Sequence, residues 1–521
     1  MKDFSLHSIR KLFVFFLILI CIYLRAYPFS TSLFSAGARG QDADIKAFAL
    51  AESYREMQDY ASAMHWYHMR LKNDPYDDFE CWFAKWMLGR CAENLSDYPT
   101  AIYWYLEAFN EKIERPEPLW DVARLYRIQG KNALGYFFAS SGKQLDLDAD
   151  LSRFYEGFSP YHFDMELSIT AYYTKYRAEG FDALERLLLT RDVPARCKEG
   201  MQNNLLFYAS SIKKISDQAI SIEMPFVSPL SSETYHPLNP SILPKDTGYY
   251  MILRAVNYTQ KNAKDFFTKD LHQVFRTKNF LLDLDQNFSV LNAQEILQHT
   301  DTIRSHPYQY PVEGLEDCRL FFYNEALWFS CTSRTTRAST IPQIAVASLD
   351  LPNVRVETLV PLNASTEERC EKNWLPFVVN DETVLIYSFD PFLIVKPDLT
   401  TGKCSIYHKS IPAYDLRLQR GSAPPIPFAD GYLAMSHEVI FQKDHGRSYL
   451  HRFIYFTKDF VIQKVSKPFF FLHRGVEFCC SMAWNMDQKE LIIPYGYEDR
   501  EARICRVSAD HIYHMLDMQK K

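Results

Sequence analysis

Gly314–Leu315–Glu316–Asp317–Cys318–Arg319 sets two carboxylates and a guanidinium within four residues, just ahead of a strand-like run, Leu320–Cys331. A dense charge cluster at the start of an apolar strand is poorly explained by packing alone, and it is a candidate reactive site. Three later stretches repeat the pattern of polar groups at strand ends. They are Glu371–Lys372–Asn373–Trp374, then Gly421–Ser422–Ala423–Pro424–Pro425–Ile426 leading into Asp430–Gly431–Tyr432–Leu433–Ala434–Met435–Ser436–His437, and finally Tyr495–Gly496–Tyr497–Glu498–Asp499.

Around these stretches the chain reads as short strands every ten to fifteen residues. Examples are Tyr249–Ala255, Leu327–Cys331, Gln343–Ser348, Thr383–Ser388, Tyr432–Ser436, Tyr449–Phe456 and Glu490–Pro494. Turn signals such as Asn380–Asp381, Ala429–Asp430–Gly431 and Asp487–Gln488 separate them. About twenty strands in this region suit an all-β, five-bladed propeller of four-stranded sheets, expected over residues 248–515.

The N-terminal half has a different grammar. Asp59–Tyr60–Ala61–Ser62–Ala63–Met64–His65–Trp66–Tyr67 recurs as Asp97–Tyr98–Pro99–Thr100–Ala101–Ile102–Tyr103–Trp104–Tyr105, with a weaker copy at Asn132–Ala133–Leu134–Gly135–Tyr136–Phe137–Phe138. Ala63, Ala101 and Gly135 recur where two helices of a hairpin would touch. This resembles the tetratricopeptide repeat and predicts an all-α helical-repeat domain over 41–224, either a partner-binding groove or a scaffold. Pro225, Pro229, Pro237, Pro240 and Pro244 then mark an expected connector at 225–247.

At the N-terminus, Leu12–Leu24 is continuously apolar, with Arg10 and Lys11 before it and Arg25 after. It is shorter than the roughly 20 residues that span a bilayer, unless it extends through 26–34. A signal anchor and a cleaved signal peptide share this layout. The anchor is favoured, giving residues 1–40 as cytoplasmic tail, anchor and stem of a single-pass type II protein in the secretory lumen, with secretion after cleavage as the alternative.

The chain has 521 residues, 47% hydrophobic and 23% charged, which suits several globular domains. A net charge of −6 without a long basic run argues against nucleic-acid binding. The eleven cysteines include no Cys-x-x-Cys pair, so no zinc site is expected. The Asp-x-Asp occurrences, Asp283–Leu284–Asp285 among them, follow no nucleotide-binding βαβ unit. Neither metal nor cofactor is expected.

Residues 245–510 resemble the β-mannoside phosphorylases and their β-mannosyltransferase relatives, five-bladed propellers with a Glu-Asp-Pro-Arg signature, a Pro-Pro-Ile run before a His-bearing strand, and a late Tyr-Tyr-Gly-x-x-Asp. The resemblance implies Asp317 as the general acid of an inverting glycosyl transfer, with Glu316 and Arg319 beside it, although Cys318 replaces the signature proline. It implies sugar contacts from His437 and from Asp499, the latter through the family's late Tyr-Tyr-Gly-x-x-Asp, of which Tyr495–Gly496 and Asp499 match here. Glu438 stands where the family has glycine, and Glu477 lies near a family Glu. It also implies phosphate or leaving-group binding by Arg334, Arg337 and Lys372, a chemistry for which the guanidinium fork is suited. Arg254 with Asn257, and Arg276 with Asn279, each pair Arg and Asn three residues apart and could line a first blade.

The expected function is a membrane-anchored glycosyltransferase-like enzyme. Its partners would be a glycan acceptor and an activated sugar donor or sugar phosphate, with a protein partner at the repeats. The alternatives are a non-catalytic glycan- or protein-binding scaffold and an exo-acting hydrolase or phosphorylase. For the hydrolase, Glu371 or Glu477 would be the second carboxylate.

Overall fold

A computed structural model describes residues 41–73, 78–145, 158–220, 235–260, 266–269, 274–298, 312–337, 339, 341–365, 369–442 and 446–519. The chain divides into two compact units, Met1–Glu166 and Leu167–Lys521.

In the first unit, helices Gln41–Glu56 and Tyr60–Asn73, Asp78–Asn94 and Tyr98–Glu111, and Glu117–Ile128 and Asn132–Lys143 succeed one another as three pairs. The repeat is visible in the turns. Gln58, Ser96 and Gly130 are all left-handed, with φ of 61°, 62° and 72°. In each turn the next residue donates its N–H to a carbonyl of the helix just ended: Asp59 to Tyr54, Asp97 to Ala92 and Lys131 to Tyr126. Asp59 and Asp97 then cap the following helix, through the Ser62 and Thr100 N–H groups. Ala63, Ala101 and Gly135 are buried, and Tyr67, Trp82, Trp86 and Tyr105 fill the core.

The second unit is a propeller-like ring of sheets. The first holds His236–Lys245, Gly248–Val256, Phe275–Leu284 and Val290–Glu295. The second runs Glu316–Tyr323, Ala326–Ser333, Gln343–Asp350, Arg355–Pro361, and the third Leu375–Val379, Glu382–Phe389, Phe392–Pro397, Cys404–Ser410. The fourth is built on the long hairpin Gly431–Gln442 and Gly446–Thr457, and the fifth on Glu490–Tyr497 and Glu501–Ser508. Hydrogen bonds join the inner strands into a closed circle. Leu320 N–H donates to Ser241 Oγ, Arg319 to Ser422 O and Asn373 Oδ1, Ser422 Oγ to Cys479 O, and Ile242 N–H to Ser481 Oγ.

Several expectations are corrected. The five equal four-stranded blades do not form. Among the described residues only two of these sheets have four strands, and three of the five come from one continuous stretch of chain. The other two each take an upstream strand: Ser210–Ser211 pairs with Phe469–Phe470, and Ser216–Ala219 pairs with Glu501–Ser508, which ties the ring's beginning to its end.

The helical region does not run to 224, since the units divide at Glu166 and Leu167. Helices Arg177–Leu189 and Ala195–Gln202 belong with the sheets. Leu184, Leu188 and Leu205 pack on Ile440 and Leu450, while Glu185 and Lys198 find their partners in Arg452 and Asp415. A buried charge needs such a partner, and only the ring supplies it.

The connector at 225–247 is also revised. Pro237, Pro240 and Pro244 lie in the innermost strand of the first sheet, with Pro240 inside a register break between Leu238 and Ser241. An edge strand with a bulge tolerates residues that cannot donate an N–H. Pro225 and Pro229 lie outside the described residues.

The single-pass membrane localisation is corrected as well: among the described residues, no helix is long and apolar enough to cross a membrane. The run 12–24 lies outside the described residues.

Candidate functional site

One mouth of the ring opens on a cavity of about 530 Å³, lined by Asp317, Glu316, Arg254, Arg334, Lys372, His437 and Asp499. Asn239, Tyr258, Phe275, Asn373, Arg420, Arg447, Tyr449, Val476 and Phe478 complete its wall. Residues separated by much of the chain thus meet because each inner strand begins or bends at this mouth.

The bends are built in the same way. Pairing in the second sheet jumps from Glu316–Thr332 to Arg319–Ser330, which leaves Asp317 in a bulge with φ 53°. Asn239, Asn373 and Asp499 are likewise left-handed, with φ of 45°, 65° and 49°. A bulge re-aims a side chain, and left-handed backbone is uncommon outside glycine, though Asn and Asp tolerate it best. Left-handed residues also occur at turns elsewhere, but these four line one polar cavity, where an observed strain motivates a functional reading.

Arg254, 4% exposed, is the electrostatic centre. It donates to Asp317 Oδ1 at 2.6 Å, to Tyr258 Oη at 3.1 Å and to Thr277 Oγ1. Glu316 takes a hydrogen bond from Lys372 at 3.1 Å, with Arg334 at 3.5 Å. Burial pushes its carboxyl up, but Lys372, Arg254 and Arg334 outweigh burial and hold it at about 2. Asp499 behaves in the opposite sense. Burial raises its carboxyl, helped by Asp317, against Arg447 and Arg254. Burial drives His437 well below the ordinary imidazole range, with His451, Arg420 and Arg319 adding to it, so the ring is neutral. It stacks on Tyr449 at 5.5 Å and meets the edge of Phe478 at 5.0 Å.

Seven of the sequence-selected residues therefore share one cavity, and seven do not. Arg319, 0% exposed, lies beneath it, tying Asp317 O, Ser422 O and Asn373 Oδ1 together. Asn257 holds a turn through Val274 O and Arg276 N. Arg276 pairs with Glu313, and Asn279 supports Leu315 O. Glu438 points to the opposite side of its strand from His437 and meets Arg452 and Gln202. Glu477 accepts three backbone N–H groups, from Phe471, Leu472 and His473. Arg337 reaches Arg369 O, away from the cavity. Glu371 is bound to Trp374, Tyr387 and Arg369 and does not line it. Among the described residues, no group of three or more His, Cys, Asp or Glu could hold a metal ion.

No family model and no curated protein matches the chain. Among solved structures it is similar to β-1,2-mannobiose phosphorylase from Listeria innocua, with 13% identity over 56% of this chain and 95% of that one, at a TM-score of 0.39. It is also similar to a mannose phosphorylase from Leishmania mexicana (9% identity, 60% of this chain, 95% of that one, TM-score 0.37). A third is a GDP-Man-dependent mannosyltransferase from Leishmania mexicana (10% identity, 53% and 86%, TM-score 0.34).

Proposed function

We propose that this chain is a carbohydrate-active enzyme that transfers a glycosyl group, of the mannose class, with inversion at the polar mouth of its ring. The observation that carries the reading is the convergence of Asp317, Glu316, Asp499, Arg254, His437, Arg334 and Lys372 on one cavity of about 530 Å³. That volume is in the range of small-molecule sites.

The roles follow from the chemistry of the groups. Asp317 is the general acid, donating its proton toward the leaving oxygen directly or through a sugar hydroxyl. Asp499 and the neutral His437 bind sugar hydroxyls. Arg334 and Lys372 face an anion, either inorganic phosphate or the diphosphate of a nucleotide sugar. The helical unit reads as a tetratricopeptide-like scaffold or partner groove.

The experiment is product analysis of the full chain with mannose 1-phosphate and GDP-mannose as donors and mannobiose as acceptor, and with mannobiose plus inorganic phosphate, alongside Asp317→Asn. Transfer or phosphorolysis that disappears in Asp317→Asn supports the reading. Binding of sugar without turnover in either protein would favour a glycan-binding module.

A further inference from the structure

We infer that Asn239 is a positioning residue for Asp317, one that fixes which carboxyl oxygen exchanges a proton; this rests on the acid role proposed for Asp317. Asn239 donates its amide Nδ2–H to Asp317 Oδ1 at 2.9 Å, and Arg254 donates to the same oxygen. Oδ1 is thereby occupied by two donors that cannot accept a proton from it. Among the described residues Oδ2 has no donor, while Asp317 lines the cavity. The exchangeable proton of Asp317 is accordingly confined to Oδ2.

The amide orientation follows from the same contact. Turned over, Asn239 would set two acceptor oxygens together. Its own Oδ1 is buried without a partner, and its backbone is left-handed. Both are costs that packing alone would remove. Gly496 makes room for this arrangement: a Cβ there would come 2.1 Å from Asn239 Oδ1 and 2.8 Å from Asn239 N. Gly496 lies three residues before Asp499, so the segment bearing one carboxylate seats the amide that holds the other.

The charged and titratable groups facing Asp317 are Arg254 and Tyr258 from the first sheet, Glu316 beside it, and Asp499 with Tyr449 across the cavity. Arg334, Lys372, Arg420, His437 and Arg447 line the same walls, and the thiols of Cys318 and Cys480 lie close by. Exchanging Asn239 alters none of these charges, so any change in titration comes from the amide.

The test is carboxyl-carbon NMR of the Asp-labelled full chain, with Asp317→Asn identifying the signal. Asn239→Gly keeps the left-handed backbone and deletes the donor. A hydrogen bond to the charged form favours that form, so the Asp317 titration should move to higher pH, by roughly half to one pH unit. The basic limb of kcat/KM with mannose 1-phosphate or GDP-mannose should move with it. Should Asn239→Gly fail to fold, Gly496→Ala displaces the same amide from the other side and should produce the same shift. An unmoved titration in a folded variant would overturn the inference. A shifted titration combined with full turnover in Asp317→Asn would instead overturn the acid reading and, with it, the catalytic meaning of the contact.

Discussion

The two ends of the ring are made from the same inner strands and have opposite chemistry. At one mouth the strands bend through left-handed Asn239, Asp317 and Asn373, and the wall carries both signs of charge. At the other, the same strands continue through Ile242, Leu320 to Phe322 and Pro376 to Val378, around a cavity of about 520 Å³ with no charged residue in its lining. The cavities are nearly equal in size, so volume does not tell them apart. Buried charge does, because it is costly and does not improve packing, and left-handed residues number four at the polar end against Gln488 at the other. The apolar end is what a ring of sheets needs in order to close, and the polar end is what it can afford once closed.

The sharpest way to break this contrast is Asp317→Asn. The substitution preserves shape and removes the titrating proton. Turnover per folded molecule should fall by about 10²–10⁴, with a lowered melting temperature because Arg254 loses its charge partner. Turnover and melting temperature are to be measured on one preparation. Unchanged turnover per folded molecule, with only the melting temperature lowered, would make Asp317 a structural residue.

Phe377→Ala probes the opposite end. Phe377 is buried at the apolar cavity and packs edge-on to Tyr432 and Phe456. Its loss should cost about 3–5 kcal/mol by denaturant unfolding, while the remaining folded protein keeps its turnover per molecule. A selective loss of turnover would show that the two ends are coupled.

How much of this was legible in the sequence depended on whether the signal was local. Asp317, His437 and Asp499 sit in short contiguous motifs. The resemblance to the Glu-Asp-Pro-Arg signature puts Arg319 in the site, but the bulge at Asp317 turns it underneath. Glu438 is expected in the pocket beside His437, but neighbouring residues of a strand face opposite sides, and it turns away to Arg452 and Gln202. Arg447 and Tyr449 were missed because they enter through a hairpin partner, Tyr449 pairing with Val439, and no motif announces them. Asn239 was hidden among prolines that read as a connector. In the helical unit the repeat was legible because the first two copies share Asp-Tyr-x-x-Ala-x-x-Trp-Tyr, whose Asp caps the helix, whereas the boundary at Glu166 was not. Helices 177–189 and 195–202 carry an ordinary apolar periodicity that does not say which unit they cover.

A smaller effect is expected at Glu316, which neutralises the two cations assigned to anion binding. Glu316→Gln should tighten binding of inorganic phosphate about tenfold, and Lys372→Ala should weaken it by a similar factor, both read by calorimetry. Linkage gives a second readout. The Glu316 carboxyl is held at about 2 against an ordinary value of 4.5. It therefore contributes stability that is present above pH 4.5 and lost as pH falls toward 2. Glu316→Gln should flatten the unfolding curve in that window. Unchanged phosphate affinity in both variants would assign Lys372 and Arg334 to wall structure.

The smallest effect concerns His451, which pairs across the hairpin from His437 and contacts the rings of Phe469 and Phe471. Both of its ring nitrogens are buried without a hydrogen-bond partner among the described residues. Burial depresses its imidazole from 6.5 to about 3. The folded protein therefore binds fewer protons here than the unfolded chain does between those values. The contribution is complete above pH 6.5 and is lost as pH falls toward 3. His451→Phe keeps the ring and removes the titration. It should raise stability at neutral pH by about 1 kcal/mol, since an unpartnered polar group disappears, and make the fall between pH 6.5 and 3 shallower. The fall should persist in part, because His437 titrates in the same direction. Turnover should not change, because His451 does not line the cavity. If the slope below pH 6.5 is the same in both proteins, His451 does not carry the loss of stability there, and His437 does.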